Sequence, residues 1–267
     1  MNRIDKKFKE LKRRGSKAFI AYITAGDPNL SVTKKIVLSL EMSGVDIIEL
    51  GVPFSDPIAD GPTIQAASHR ALAGGVTLKK IFSMMGSLRK ATQIPIAFMT
   101  YYNPVLKYGI KKFITDCSLK GVDGVIVPDL PVEEAEGLVC SAKEQDISTI
   151  FLVAPTSTRK RVGMIAERSK GFIYYVSLTG VTGARRNLPP EVISNVKMIK
   201  SMTDKPVAVG FGISSPCQAH DIGKSADGVI IGSAIVKIIS DNQKNNKMLI
   251  SKVSSFSKRL ARAIHRA

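Results

Sequence analysis

Short runs of apolar and β-branched residues recur along this chain, and each gives way to a stretch whose apolar positions fall at helical spacing. The runs are Ala18 to Thr24, Val45 to Leu50, Pro95 to Thr100, Gly124 to Val127, Thr149 to Val153, Phe172 to Ser177, Pro206 to Gly210 and Gly228 to Gly232. Between them the 3.6-residue period predicts helices over Val32 to Ser43, Ile64 to Ala73, Leu78 to Ala91, Ile110 to Lys120, Glu133 to Gln145, Arg159 to Ser169, Glu191 to Met202, Pro216 to Ser225 and Ser233 to Ser240. Strands that alternate with helices form a parallel sheet, because each crossover returns the chain in the same direction. Eight such units favour closure into a (β/α)8 TIM barrel over an open doubly wound sheet, and no GxGxxG follows the first strand, where a dinucleotide fold carries it. Met1 to Arg13 reads as an added amphipathic helix at the N-terminal end of the barrel. With no linker or low-complexity tract, residues 1–267 are expected to form one barrel domain.

In such barrels the chemistry sits at the C-terminal ends of the strands, and the second strand ends on a charge. Side chains alternate along an extended chain, so Val45, Ile47 and Glu49 share one face, and a carboxylate continues an apolar stripe. A stripe facing a packed interior desolvates Glu49, raises its proton affinity and lets it give or accept a proton near neutrality. The loop that follows carries Pro53, Pro57 and a second carboxylate, Asp60, before a helix that starts after Pro62, a residue suited to the first turn. Glu49 and Asp60 are the acid/base candidates; the plainer alternative is a surface glutamate followed by ordinary turn-forming aspartates. Tyr101 and Asn103 follow the third strand, Asp129 the fourth, and Tyr174 lies within the sixth. The stretch SLTGVTGARRNLPPE after the sixth strand has the glycines and closing prolines of a lid. Strands seven and eight end in GFGISS and GSAIV, where glycines let backbone N–H groups approach an anion at a helix N-terminus. Gly212, Gly232 and Ser233 form that candidate phosphate cradle, with Gly183 joining from the lid.

Composition removes other classes. The net charge of +17 taken alone suggests an anionic partner. The basic residues, however, are densest in the two terminal helices, without the interleaved aromatics of a nucleic-acid site. Solvated faces are therefore expected, with no nucleic-acid role, and the positive field serves at most to attract a phosphorylated substrate. Cys117, Cys140 and Cys217 show no CxxC pair and read as buried small hydrophobes; His69, His220 and His265 show no ligand spacing, so no metal is expected. The N-terminus lacks the apolar segment of a signal peptide and no run spans a bilayer, which predicts a cytoplasmic protein with no membrane role. No lysine stands at a strand end for Schiff-base chemistry.

With these residues in view, the chain resembles the tryptophan synthase alpha subunit family over essentially its whole length. ELGVPFSDPIADGPTIQ, ITAGDP, VPDLP, GVTGAR, GFGISS and GSAIVKII occur in that order at consistent spacing. The resemblance implies a ribulose-phosphate-binding type of barrel and cofactor-independent retro-aldol cleavage of indole-3-glycerol phosphate to indole and glyceraldehyde 3-phosphate, in L-tryptophan biosynthesis. It implies that Glu49 moves protons and that Asp60 holds the indole N–H. It makes Tyr22, Met99, Tyr101 and Tyr174 walls of the indole pocket and Thr182 a lid partner of Asp60, and it assigns the phosphate to Gly183, Gly212, Gly232 and Ser233. It also implies an alpha2beta2 complex with a beta subunit that carries pyridoxal phosphate, contacted near Pro53, Asp56, Pro57 and Asn103. Position 22 is often phenylalanine in the family, so the Tyr22 hydroxyl needs a partner of its own. The alternatives are a catalytically weakened activator of the beta subunit, a stand-alone indole-3-glycerol-phosphate lyase, and a related isomerase barrel, which the Glu49/Asp60 loop disfavours.

Overall fold

The computed structural model describes residues 1–176, 190–210 and 212–267. Its strands are β1 (Ala18–Thr24), β2 (Ile47–Gly51), β3 (Ile96–Met99), β4 (Gly124–Ile126), β5 (Ser148–Ile150), β6 (Leu152–Val153), β7 (Ile173–Val176), β8 (Val207–Gly210) and β9 (Gly228–Ile231). The helices are α1 (Arg3–Arg13), α2 (Leu30–Glu41), α3 (Pro62–Ala73), α4 (Leu78–Leu88), α5 (Tyr102–Tyr108), α6 (Ile110–Leu119), α7 (Glu136–Glu144), α8 (Arg159–Arg168), α9 (Pro190–Lys200), α10 (Pro216–Gly223), α11 (Ser233–Asp241) and α12 (Asn246–Ile264).

Among the described residues every strand pairing is parallel, and the sheet runs β5-β4-β3-β2-β1-β9-β8-β7-β6. Its two outer strands are consecutive pieces of one stretch, separated by Phe151 alone. The first piece pairs with β4, the second with β7, and the Tyr174 N–H donates to the Phe151 carbonyl at 3.0 Å. The single fifth strand expected from the pattern is thus broken in two, and the barrel closes through that break.

Alternation sorts the strand residues into two apolar layers. Ile20, Ile47, Ala97, Ile126, Ile150, Tyr174, Ala208 and Ile230 point into the barrel, whereas Phe19, Ile48, Leu50, Phe98, Val125 and Val229 pack outward against the helices. The inner layer is closed at the bottom by α1, which buries Ile4, Phe8 and Leu11. The Asn2 side chain caps α1 and donates from Nδ2 to the Asp123 carbonyl at 2.9 Å, just before β4, and to Ser148 Oγ at 2.7 Å, at the start of β5. Asp123 also takes Arg3 at 2.9 Å and Arg89 at 2.8 Å, so its buried charge is paired twice. Only the upper end of the barrel is left open to build a cavity.

Three expectations are corrected. A seven-residue helix, α5, follows β3 where none was expected. The helix expected from Glu133 begins with a 3-10 turn, Val132–Glu134, before α7. Cys117 is buried, but Cys140 and Cys217 are exposed free thiols on the outward faces of α7 and α10. Among the described residues no helix is long and apolar enough to cross a membrane.

Candidate active site

Glu49 is the third residue of β2, in register with Tyr22 of β1 and Ala97 of β3. Its neighbours on both sides point inward as it does, and it is only 1% exposed, with neither carboxyl oxygen finding a hydrogen-bond partner. A carboxylate in that position loses its hydration without compensation, so it holds its proton. Burial first, and the nearby charge of Asp60 second, push Glu49 up to about 8.

Asp60 arrives by a different route. Pro53 and Pro57 are buried and stiffen the loop after β2, while turns closed by Ile58 N–H to Asp56 at 2.9 Å and by Asp60 N–H to Pro57 at 3.0 Å bring the chain back over the barrel. Gly61 caps α3 and Pro62 opens it, so Asp60 stands at a helix N-terminus, where negative charge is favoured. Burial raises Asp60 to about 6 against the opposing hydrogen bond of Tyr101. Between about 6 and 8, therefore, Asp60 is a carboxylate while Glu49 is still an acid. Two carboxyl groups with separated proton affinities can take different parts in one reaction.

Both groups line a cavity of about 830 Å³, with Tyr22, Met99 and Tyr174 among its walls. Two strand-end glycines make room for the phenols: a Cβ at Gly51 would lie 2.2 Å from the Tyr22 hydroxyl, and one at Gly210 would lie 2.7 Å from that of Tyr174. Gly212, Gly232 and Ser233 line the same cavity. Gly232 precedes α11 and provides no side-chain cap, which leaves first-turn N–H groups of that helix for an anion. Thr182, Gly183 and the expected lid over 177–189 lie outside the described residues, and its last two residues, Pro190 and Glu191, open α9. Among the described residues no group of three His, Cys, Asp or Glu could hold a metal ion.

Tyr101 does not join the cavity wall. Its ring stacks on Phe54 with centroids 5.3 Å apart, its hydroxyl accepts the Ala59 N–H at 3.0 Å, and it hydrogen-bonds Asp60. It is a clamp on the loop that carries Asp60, a role no sequence spacing reveals because it joins residues 42 apart. Tyr101→Phe keeps the stack and removes the clamp. We expect roughly tenfold lower kcat/KM from the loss of one such bond, and a higher proton affinity at Asp60, seen as an upward shift of the acidic limb of the pH profile.

Of the expected contact residues, Asp56 and Asn103 are exposed, while Pro53 and Pro57 are buried. Exposed apolar side chains next to them were not expected: Ile58 is 82% and Leu106 56% exposed. The Asp129 carboxylate accepts the Tyr102 N–H at 2.9 Å and so fixes the start of α5, which carries Asn103 and Leu106. Arg161, read from sequence as part of a solvated charged face, lines the cavity from α8 and pairs with Glu133 at 3.2 Å. Its position one turn inside a helix that follows a strand end was the signal available for it.

Comparison with known proteins gives the family and the fold. The family model described as "Tryptophan synthase alpha chain" matches residues 8–265. The tryptophan synthase alpha chain of Geobacter sulfurreducens is 52% identical over 238 residues, 89% of this chain and 90% of that protein. The one from Geotalea uraniireducens is 51% identical over 241 residues, 90% of each. Among solved structures, the tryptophan synthase subunit alpha of Legionella pneumophila superposes with a TM-score of 0.92 at 36% identity, covering 99% of this chain and 98% of that one. With half of its residues shared along nearly the full length of these relatives, and with the same barrel, the chain belongs to the tryptophan synthase alpha chain family.

Proposed function

We propose that this chain catalyses the alpha reaction of tryptophan synthase, cleaving indole-3-glycerol phosphate to indole and glyceraldehyde 3-phosphate, with Glu49 as the acid/base and Asp60 as the indole ligand. The observation that carries the assignment of roles is the separation of the two carboxyl groups, near 8 and near 6, across one cavity. Cleavage starts when Glu49 gives its proton to indole C3. The ring becomes a cationic indolenine whose N–H is held by the Asp60 carboxylate. Glu49, now a base, takes the proton of the adjacent glycerol hydroxyl; the C–O bond becomes the aldehyde as the C–C bond breaks, and its electron pair returns to the ring as neutral indole. Each proton lost by one atom is gained by another, and the enzyme ends as it began. The phosphate is assigned to Gly212, Gly232 and Ser233, joined by Gly183, and the indole to the space between Tyr22, Met99 and Tyr174, closed by Thr182.

This reading assigns the chain no cofactor. It gives it a beta subunit with pyridoxal phosphate as partner in an alpha2beta2 complex in the cytoplasm, met through Asp56 and Asn103 with Ile58 and Leu106 beside them. The likeness to a solved structure of Mycobacterium tuberculosis tryptophan synthase, with a TM-score of 0.91 at 36% identity, supports this reading. The test is indole release from indole-3-glycerol phosphate by the chain alone and with a beta subunit. Slow release alone, rising at least tenfold in the complex, is expected. Absence of cleavage in both settings would leave only the activator role, and equal rates in both would leave the stand-alone lyase.

A further inference from the structure

Tyr22 and Glu49 face each other in the register of β1 and β2, and both line the cavity. Gly51, two residues beyond Glu49 on the same side of the strand, carries no side chain, so the Tyr22 ring leans across it. The phenol is thereby held in the field of both carboxyl groups; its burial, then the charge of Asp60, and further that of Glu49, make it a reluctant acid that keeps its proton. Two polar groups here are poorly partnered. Neither oxygen of Glu49 has a hydrogen bond, and the Tyr22 hydroxyl has only Thr24 Oγ1 at 3.4 Å, close to the outer limit for such a contact.

An ionised carboxylate can only accept, and a buried one gains most from a donor within reach. Of the other titratable groups, Asp60 and Tyr101 do not supply that donor, and Arg161, which lines the same cavity from α8, is paired with Glu133. Asp60, from the loop after β2, repels it, and Tyr101 lies behind Asp60 and is engaged with it. Tyr174 also stands in the field of Glu49, but from β7 and with its hydroxyl over Gly210, whereas Tyr22 is the phenol on the strand adjacent to Glu49 and in register with it. Among the described residues, β8, β9 and the turns after them line the cavity with glycine, isoleucine and serine only.

We propose that the Tyr22 hydroxyl is a positioning residue for Glu49: it turns from Thr24 to donate a hydrogen bond to the Glu49 carboxylate once that group has given up its proton, and returns to Thr24 when the proton comes back. The inference rests on the reading of Glu49 as the acid/base. It explains why a hydroxyl is tolerated on the wall of an apolar pocket. With phenylalanine in its place the carboxylate would lose the donor on its adjacent strand and would be a more strongly held acid.

The experiment follows Glu49 in the unliganded protein by NMR of 13C-carboxyl-labelled glutamate, its resonance assigned by its loss in Glu49→Gln. In Tyr22→Phe the Glu49 midpoint is expected to rise by about one pH unit, the size of one hydrogen bond to a charged group. The matching limb of the kcat profile moves with it, while KM changes less than twofold. In Thr24→Val, which removes the competing partner, the midpoint moves the opposite way. An unmoved midpoint in Tyr22→Phe, with or without a lower melting temperature, overturns the proposal, since a merely structural hydroxyl would affect folding alone. Activity retained in Glu49→Gln would instead overturn the catalytic reading, and the NMR midpoint would still decide the fate of the Tyr22 hydroxyl.

Discussion

Glu49→Gln is expected to cut indole release about a thousandfold and at the same time to make the protein more stable at alkaline pH. The first effect is the usual scale for removing a positioned proton donor and acceptor. The second follows from linkage. Glu49 holds its proton to about 8 in the folded chain, against an ordinary value of 4.5, so the folded state binds a proton that the unfolded state has released. Its favourable contribution is complete below about 4.5 and is lost as the pH rises through about 8. Glutamine carries no charge at any pH and escapes that loss, worth at most about 3 kcal/mol at pH 7. Its amide is buried as well, which reduces the gain. Urea denaturation at pH 5 and pH 8, beside the indole assay, measures both. A variant that is active, or that is destabilised more at pH 8 than at pH 5, contradicts the assignment.

Asp60→Asn changes charge with almost no change of shape. If the Asp60 carboxylate stabilises the cationic indole, kcat should fall about a hundredfold while KM moves only a few-fold, because the ground state carries no such charge. The defect should also depend on pH in a particular way. Wild-type Asp60 becomes neutral below about 6, so the gap between wild type and variant narrows there and widens above it. A loss confined to KM, or a gap independent of pH, would remove Asp60 from the transition state. Steady-state kinetics from pH 5 to pH 8 distinguishes these outcomes.

Much of the barrel was legible because its strands are buried on both faces and therefore read as continuous β-branched runs. Ala18–Thr24 is buried at every position and its limits were found without error. The break at Phe151 was not legible, since each half of that stretch is apolar; what divides it is the different neighbours that the two halves must reach. The short α5 was missed for a similar reason. It has seven residues, with Pro104 in its first turn, where the missing N–H costs nothing, and its start is fixed by Asp129 from another loop. At the site, Glu49 and Asp60 stood out because a charge interrupted an apolar stripe and a proline-stiffened loop brought a second one. Tyr101 was placed at the mouth by its strand, but its grip on the Asp60 loop was not legible and Arg161 was not singled out, because contacts between distant loops decide what they do. Cys140 and Cys217 show the converse: free cysteine is a small hydrophobe by habit, yet helical phase decides which face it occupies.

The loop from Pro53 to Asp60 has one side in the solvent and the other in the cavity. Asp56 lies on the outside, the largely exposed Ile58 at the rim of the cavity and Asp60 on the inside, and Tyr101 grips the chain at Ala59 between the last two. A body resting on Ile58 would press on the same short piece of backbone whose inner end sets the charge next to Glu49. Shifting Asp60 alters how tightly Glu49 keeps its proton, since that charge is one of the two causes holding it near 8. Such a surface would read an outside touch as a change in proton occupancy at Glu49, with no need for the barrel itself to move.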